Sequence, residues 1–199
     1  MKSYLINLSS RVDRLEESKK EFSRLGIEFD RFPAILNDNP IISFNLSQYA
    51  CIKAGYDSGE DIFFVYEDDV IFDSPFSKVE EAMRDLPYGW VSLYLGANIT
   101  TETFQPPERV SSKLVRLRDA WQSHAIAYSH RGADYILTQF KPLEGIIFDE
   151  WMRRIMKEGN IYMMSPMAAY QRPSFSNIWQ IQTDYTGVHP TGNRMLQMI

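Results

Sequence analysis

The chain has 199 residues, a formal net charge of −5 and 44% hydrophobic residues. Its length and apolar content predict a single globular domain over residues 1–199 with a full core. The acidic balance argues against broad nucleic-acid binding, which needs a basic face. The single cysteine, Cys51, excludes an internal disulfide and a cysteine-rich zinc site. We therefore expect an anionic substrate to need a metal ion or a local basic pocket.

The N-terminal segment MKSYLINL reaches Asn7 and Arg11 too early to contain a signal sequence, and no apolar run has membrane-spanning length. This favours a cytoplasmic protein. A lipid-borne substrate would bring the protein to the inner membrane peripherally, and four cations are the predicted contact: Arg109, Lys113, Arg116 and Arg118. The alternative for these cations is ordinary solvation of a strand and its flanks.

The first predicted unit is a strand, a tight turn and a helix. Tyr4 to Leu8 is the strand, Ser9 or Ser10 caps the helix, and Gly26 ends it. Arg11 and Arg14 lie on the first helical turn, where free N–H groups also favour a phosphate. The alternative for both arginines is an exposed position with salt bridges to Glu16, Glu17 or Glu21.

A second strand is predicted within Ile27 to Ile35, and Pro33 confines it to a strand end or an edge of the sheet. A helix follows, capped by Ser43 or Asn45 and running through Gly55.

The central stretch, Asp61 to Asp73, reads DIFFVYEDDVIFD. Its apolar run predicts a strand covered on both faces, and Glu67, Asp68 and Asp69 follow at its carboxyl end, where ligands gather in α/β sheets. Adjacent carboxylates repel one another, and Mn²⁺ or Mg²⁺ relieves that repulsion while binding substrate phosphates. We expect Asp69 to be a metal ligand together with Asp68 or Glu67. The alternative is a solvated acidic turn.

The following elements are a helix after Ser74 and Pro75, with Asp73 in its cap, and a strand from Trp90 to Leu95. Residues 97–109 predict a long loop, which is often a substrate lid. Two strands, Lys113 to Leu117 and Ser123 to Tyr128, precede a helix from Arg131 to Phe140.

Asp149 opens the last strongly periodic helix, Phe148 to Lys157. A carboxylate there is either stabilised by the helix dipole or presented as a catalytic base. Ile161 to Pro173 begins as a strand and ends in a loop, and residues 179–199 predict a tail that folds over the active site or frays.

Six segments, in order, resemble glycosyltransferase family 25, the lipooligosaccharide and collagen galactosyltransferases. They are INLSSRVDRLEESKKEF, FDRFPAI, FFVYEDDVIF, SHAIAYSHRGADYIL, FDEWM and YQRPSFSNI, spanning about residues 3 to 178. The resemblance implies a GT-A type fold, that is, a Rossmann-like mixed α/β sheet flanked by helices in one domain. Two positions depart from the family pattern: Gln48, where a histidine is frequent, and Asn177, where an aspartate is expected.

The resemblance also implies the chemistry: metal-dependent, inverting transfer of a hexose, galactose or glucose, from a UDP-sugar to a glycan or lipid-linked acceptor. Asp149 is then the general base, and Asp69 and Asp68 bind the metal. The implied donor-binding residues are Asn7, Arg11, Arg14, Glu67, Asp68, His124 and Gln171. Two alternatives remain: a non-catalytic nucleotide-sugar-binding relative, and another metal-dependent phosphoryl or nucleotidyl transferase.

Overall fold

The computed structural model describes residues 1–100 and 105–199. Its strands are β1 (Lys2–Asn7), β2 (Asp30–Pro33), β3 (Ile62–Glu67), β4 (Val70–Phe72), β5 (Ser92–Tyr94), β6 (Glu108–Arg109), β7 (Leu114–Arg116), β8 (Ala125–Ser129), β9 (Ile161–Met164), β10 (Ala169–Gln171), β11 (Ser174–Ser176) and β12 (Ile181–Thr183). Its helices are α1 (Val12–Leu25), α2 (Pro40–Asp57), α3 (Phe76–Met83), α4 (His130–Gln139), α5 (Phe148–Met156) and α6 (Val188–Leu196).

The core is a mixed eight-stranded sheet with the strand order β2-β1-β3-β8-β5-β9-β7-β6. Strands β2, β1 and β3 run parallel, β8 is antiparallel to both β3 and β5, and β5 is parallel to β9. The carboxyl ends of β1, β3 and β5 therefore meet the start of β8 at one edge of the sheet. Two small sheets, β4 with β10 and β11 with β12, complete the strand pairing in the described residues.

Strand β3 is buried on both faces, as predicted. Phe63 and Val65 pack in the apolar cluster that α2, α4 and α5 cover, whereas Phe64 and Tyr66 pack in the cluster beneath α1 and α3. Successive side chains of a strand point to opposite faces of the sheet. A strand therefore needs an unbroken apolar run when helices cover both faces.

For α1 and α2, the predicted C-terminal stop at Gly26 is correct, whereas the predicted N-terminal capping residues are not. Gly26 ends α1 at a positive φ of 67°, as expected. Neither Ser9 nor Ser10 caps α1, because its first flanking residue is Arg11 and no side chain caps it. Helix α2 starts five residues before Asn45, since the Asn39 side chain accepts from the N–H groups of Ile41 and Ile42 and Pro40 opens the first turn.

Several further predictions need correction. Asp73 does not cap α3, because no side chain caps the N-terminus of this helix. The Asp73 carboxylate lies 3.2 Å from the imidazole of His189 on α6. The segment from Ile161 to Pro173 contains a second strand, β10, which pairs with β4. The predicted lid over residues 97–109 includes residues 101–104, which lie outside the described residues, and the described part ends in β6.

Among the described residues, none of the helices combines the length and the apolar character that crossing a bilayer requires.

Candidate active site

A cavity of about 560 Å³ opens at the sheet edge where β1 and β3 end and β8 begins. The backbone joins these ends, because the N–H of Glu67 donates to the His124 carbonyl at 2.9 Å. Polar residues from six regions of the chain line the cavity: Arg14, Gln48, Glu67, Asp68, Asp69, Gln122, Ser123, Asp149, Gln171 and Asn177. Apolar and aromatic side chains form much of the remaining wall: Leu36, Phe44, Trp121, Ile147, Ile178, Trp179 and Tyr185.

The three consecutive acids all reach this cavity. The chain turns directly after Glu67, the last residue of β3, so strict strand alternation does not separate Asp68 from its neighbours. Asp68 and Asp69 are buried rather than solvated. Arg14 donates to Asp68 at 2.7 Å and lies 3.8 Å from Asp69, which places one guanidinium against two carboxylates. Asn7 also donates to Asp68, at 2.7 Å.

Glu67 lies against the Gln48 side-chain amide, which donates to its Oε1 at 3.0 Å. Burial raises the pKa of Glu67 well above its usual range, and the negative charges of Asp69, Asp149 and Asp68 raise it further. Gln48 is thus part of the site.

Asp69 is the least constrained acid of the three. Within residues 1–100 and 105–199, its carboxylate oxygens accept only long hydrogen bonds, from the Gln171 amide at 3.4 and 3.5 Å. Burial raises its pKa, and the nearby positive charge of Arg14 opposes that rise. A buried carboxylate that accepts only weak hydrogen bonds favours the binding of a cation.

The side chains present fit a metal that takes few protein ligands. Among the described residues, no three His, Cys, Asp or Glu side chains are grouped so as to hold an ion by themselves. Both oxygens of Asp68 already accept hydrogen bonds, one from Arg14 and one from Asn7. Asp69 is therefore the residue that suits Mg²⁺ or Mn²⁺ bound by one or two carboxylates and by substrate phosphates.

Asp149 lies in the first turn of α5 and lines the same cavity as the acidic turn. Ser123 Oγ donates to its Oδ1, and the Gln122 N–H donates to its Oδ2 at 3.1 Å. The flanking residue of α5 is Ile147 and no side chain caps this helix, so Asp149 does not serve as its hydrogen-bonding cap. Burial raises the pKa of Asp149, and the two donors oppose that rise.

Three predicted donor-binding residues lie outside the lining of the large cavity: Asn7, Arg11 and His124. Asn7 reaches the site through its hydrogen bond to Asp68. Arg11 is paired with Asp13 at 2.7 Å, and its guanidinium reaches Asn177 at 3.2 Å. His124 is buried and lines a separate space of about 10 Å³ together with Gln122 and Gln171. Burial lowers the pKa of His124 to about 4.

The C-terminal segment contributes more to the cavity than its polar sequence indicates. Trp179, Thr183 and Tyr185 line the cavity, and Arg14 donates to the Phe175 carbonyl of β11 at 2.8 Å. Helix α6 places Leu196 in the core. The clearest sequence signal of this role is the group of aromatic residues within an otherwise polar tail.

The four cations suggested for a membrane contact have partners. Arg116 and Arg118 both pair with Glu108, and Lys113 lies 3.8 Å from Asp85. Arg109 donates to Ser165 Oγ and to the Leu196 carbonyl. These contacts agree with the alternative, a solvated strand with paired charges.

Comparison with protein-family models found no match, and no curated protein matched the chain. Solved structures that are similar to it include the following two. A197 from STIV has 12% sequence identity and a TM-score of 0.54, with 92% of this chain and 93% of that chain covered. A putative glucose-1-phosphate thymidylyltransferase from Bacillus anthracis, solved in complex with a sucrose, has 12% identity and a TM-score of 0.48, covering 98% of this chain and 76% of that chain.

The likeness to A197 shows a shared fold. The predicted architecture, a Rossmann-like mixed α/β sheet flanked by helices, is confirmed. No family model supports the resemblance to glycosyltransferase family 25.

Proposed function

We propose that this chain is a metal-dependent inverting glycosyltransferase that moves a hexose, galactose or glucose, from a UDP-sugar to a hydroxyl of a glycan or lipid-linked saccharide. One observation carries the proposal. Asp149 and the acidic turn with Arg14 line the same cavity. A basic group for an acceptor hydroxyl and a phosphate and metal site for a donor therefore open into one space, which a single displacement with inversion needs.

On the donor side, Asp69 would hold a divalent ion. The bound ion supplies positive charge to the leaving diphosphate. Gln171 orients the Asp69 carboxylate through its amide, and Arg14 fixes Asp68 while offsetting the negative charge of the turn. The Arg14 guanidinium is already held between the two carboxylates before a donor binds. Its positive charge therefore stabilises the negative charge at this site without any rearrangement of the side chains.

On the acceptor side, Asp149 takes the proton of the attacking hydroxyl. An inverting reaction has one displacement, so the base and the leaving group stand on opposite faces of the sugar. The raised pKa of Asp149 brings its basicity closer to that needed near neutral pH. In this arrangement Trp179 and Tyr185, from the C-terminal segment, cover the bound sugars.

The base role is tested by Asp149→Asn, with UDP release from UDP-galactose and UDP-glucose measured against a panel of saccharide acceptors. We expect acceptor-dependent turnover to fall at least 100-fold while UDP-sugar binding stays within a few-fold of the unmodified protein. Retained turnover at saturating substrates would remove Asp149 from this role.

The metal role is tested by Asp69→Ala. Because Asp69 is the carboxylate with room for an ion, this variant should lose the Mn²⁺-dependent part of UDP binding. The matched control, Asp57→Asn, removes an exposed carboxylate that pairs with Lys53 and should bind as the unmodified protein does. Equal UDP affinity in Asp69→Ala and the control would exclude this metal site.

A further inference from the structure

Asp149 is held by two donors that sequence motifs do not identify. One of its oxygens accepts from the Ser123 hydroxyl and the other from the Gln122 N–H, so the orientation of the carboxylate plane is fixed. Ser123 itself is buried, with 3% of its surface exposed, and it also interacts with the Tyr94 hydroxyl. The contact between Ser123 and Asp149 spans 26 residues of sequence.

Gln122 has the left-handed backbone conformation that residues with a side chain rarely adopt. Its φ is 80°, and in the described residues only Gln180 shares a positive φ among non-glycine residues. This conformation turns the Gln122 N–H toward α5. Such backbone conformations persist where the surroundings determine them, and they concentrate at functional sites.

The residues before Gln122 fix this turn. Trp121 exchanges both backbone hydrogen bonds with Asn98, at 2.9 and 3.0 Å. The Arg153 guanidinium lies 4.2 Å from the centre of the Trp121 ring and donates to Asp119 at 2.6 Å. Arg153 belongs to α5, the same helix as Asp149. The turn and the helix that carries Asp149 are therefore held to each other at two points.

The two donors favour one protonation state of Asp149. An ionised carboxylate accepts hydrogen bonds at both oxygens, whereas its protonated form has one oxygen that carries a proton. Burial favours the protonated form of Asp149, and Glu67 on β3 is the acid whose pKa the charge of Asp149 raises. The other titratable groups that face Asp149 are neutral hydroxyls: Tyr94 on β5, Tyr128 on β8 and Tyr185 in the C-terminal segment.

We propose that Ser123 and Gln122 are positioning residues, which aim the Asp149 carboxylate into the cavity and favour its ionised form. The proposal rests on the proposed function, in which Asp149 takes the acceptor proton. The donor of Ser123 is its side-chain hydroxyl, which a substitution can remove. The donor of Gln122 is its backbone N–H, which remains when the side chain is exchanged. Both residues act through Asp149.

The direct test is a pH titration of Asp149 by ¹³C NMR on protein labelled at the aspartate carboxyl carbons, with Asp149→Asn identifying the resonance. In Ser123→Ala, we expect the midpoint to move to higher pH by about one unit, since a hydrogen bond to a charged group favours that form by roughly tenfold or more. Ser123→Thr keeps the hydroxyl and should restore the midpoint. Ser92→Ala removes another buried serine hydroxyl, on β5, and should leave it unchanged.

An unchanged midpoint in Ser123→Ala would overturn the proposal. If Ser123→Ala does not fold, Ser123→Cys, which keeps a similar size and donates weakly, replaces it with the same expected direction. Gln122→Gly keeps the N–H and the left-handed turn, so it should titrate as the unmodified protein does; a shift there comparable to that of Ser123→Ala would also contradict the proposal.

The NMR result is independent of turnover, so the two hypotheses fail separately. If the midpoint moves and the acid limb of kcat/KM for UDP-sugar turnover moves with it, both are supported. If the midpoint moves while Asp149→Asn retains turnover, the positioning of Asp149 stands and its role as the base fails.

Discussion

Arg14 connects more of the site than any single acid does. It is buried on α1, donates to Asp68, lies near Asp69 and donates to the Phe175 carbonyl of β11. The sequence alone is equally consistent with an exposed Arg14 that forms salt bridges to acids of its own helix. The structure decides between the two, because the side chain points at the carboxyl end of β3 instead of along α1.

We predict that Arg14→Gln lowers the free energy of unfolding by about 3 kcal/mol or more, because a buried ion pair that loses one partner leaves the other charge uncompensated. Its side chain is 10% exposed and that of Asp68 is 9% exposed, so solvent screens the pair little. Urea denaturation of the metal-free protein measures the change.

The double variant Arg14→Gln with Asp68→Asn tests the physical reason for that loss. Since the variant removes both charges, it should be more stable than the sum of the two single losses predicts. Additive losses would show that Arg14 acts through its contact with β11 and not through Asp68.

The buried His124 side chain makes the free energy of unfolding depend on pH. Its folded pKa of about 4 lies below the usual histidine value of about 6.5, so the unfolded chain takes up a proton in this window that the folded protein does not. Stability should therefore fall as the pH is lowered from about 6.5 to 4, by on the order of 3 kcal/mol from this residue.

The measurement is urea denaturation of the unmodified protein and of His124→Gln at pH 7 and at pH 4.5. Because glutamine does not titrate, the variant should lose less stability between the two pH values. An equal loss in both proteins would mean that other groups cause the acid sensitivity.

At the scale of elements, Gly96 positions β10 against the end of β5. A Cβ at this residue would lie 1.8 Å from the Ala169 carbonyl oxygen, which is backbone and belongs to β10. The same strand carries Gln171, the donor to Asp69. The close approach of two backbones therefore sets the distance between β10 and the acidic turn.

We expect Gly96→Ala to lower the free energy of unfolding by about 2 to 3 kcal/mol, since overpacking against backbone forces the strands apart. It should also weaken Mn²⁺-dependent UDP binding through Gln171. Thermal unfolding and binding are measured on the same samples. Gly187→Ala is the matched control: no atom lies within 4 Å of its added Cβ, so its stability should change little.

Long elements and the acidic turn could be predicted from the sequence. The apolar run of β3, the stop at Gly26 and the edge position imposed by Pro33 each follow from local chemistry. The predicted residues Glu67, Asp68, Asp69, Asp149 and Gln171 do line one cavity. Their shared location follows from strands that end at the same edge of the sheet.

The remaining parts of the site depend on contacts that sequence patterns do not contain. Gln48 meets Glu67 across 19 residues, and Ser123 meets Asp149 across 26. Strands β4 and β10 have three residues each, too few to show a period. Helix α6 includes Pro190 and Gly192, which both argue against a helix in local propensity.

At the scale of the whole molecule, the mixed sheet explains why the site lies where it does. Parallel β1 and β3 end at the edge where antiparallel β8 begins, so donors and acids from distant parts of the chain converge there. Helices on both faces bury the sheet and leave this edge open as the cavity. The fold thus provides a cavity with polar and apolar lining residues at this edge.

The most direct test of the central claim is calorimetric titration of the protein with UDP-galactose, UDP-glucose, UDP-N-acetylglucosamine and GDP-mannose, each with Mn²⁺ and again with a chelator. We predict that UDP-galactose or UDP-glucose binds with Mn²⁺ and that the chelator weakens this binding at least tenfold. Failure of the folded protein to bind any of the four donors, with or without the ion, would contradict the account of this cavity as a nucleotide-sugar site.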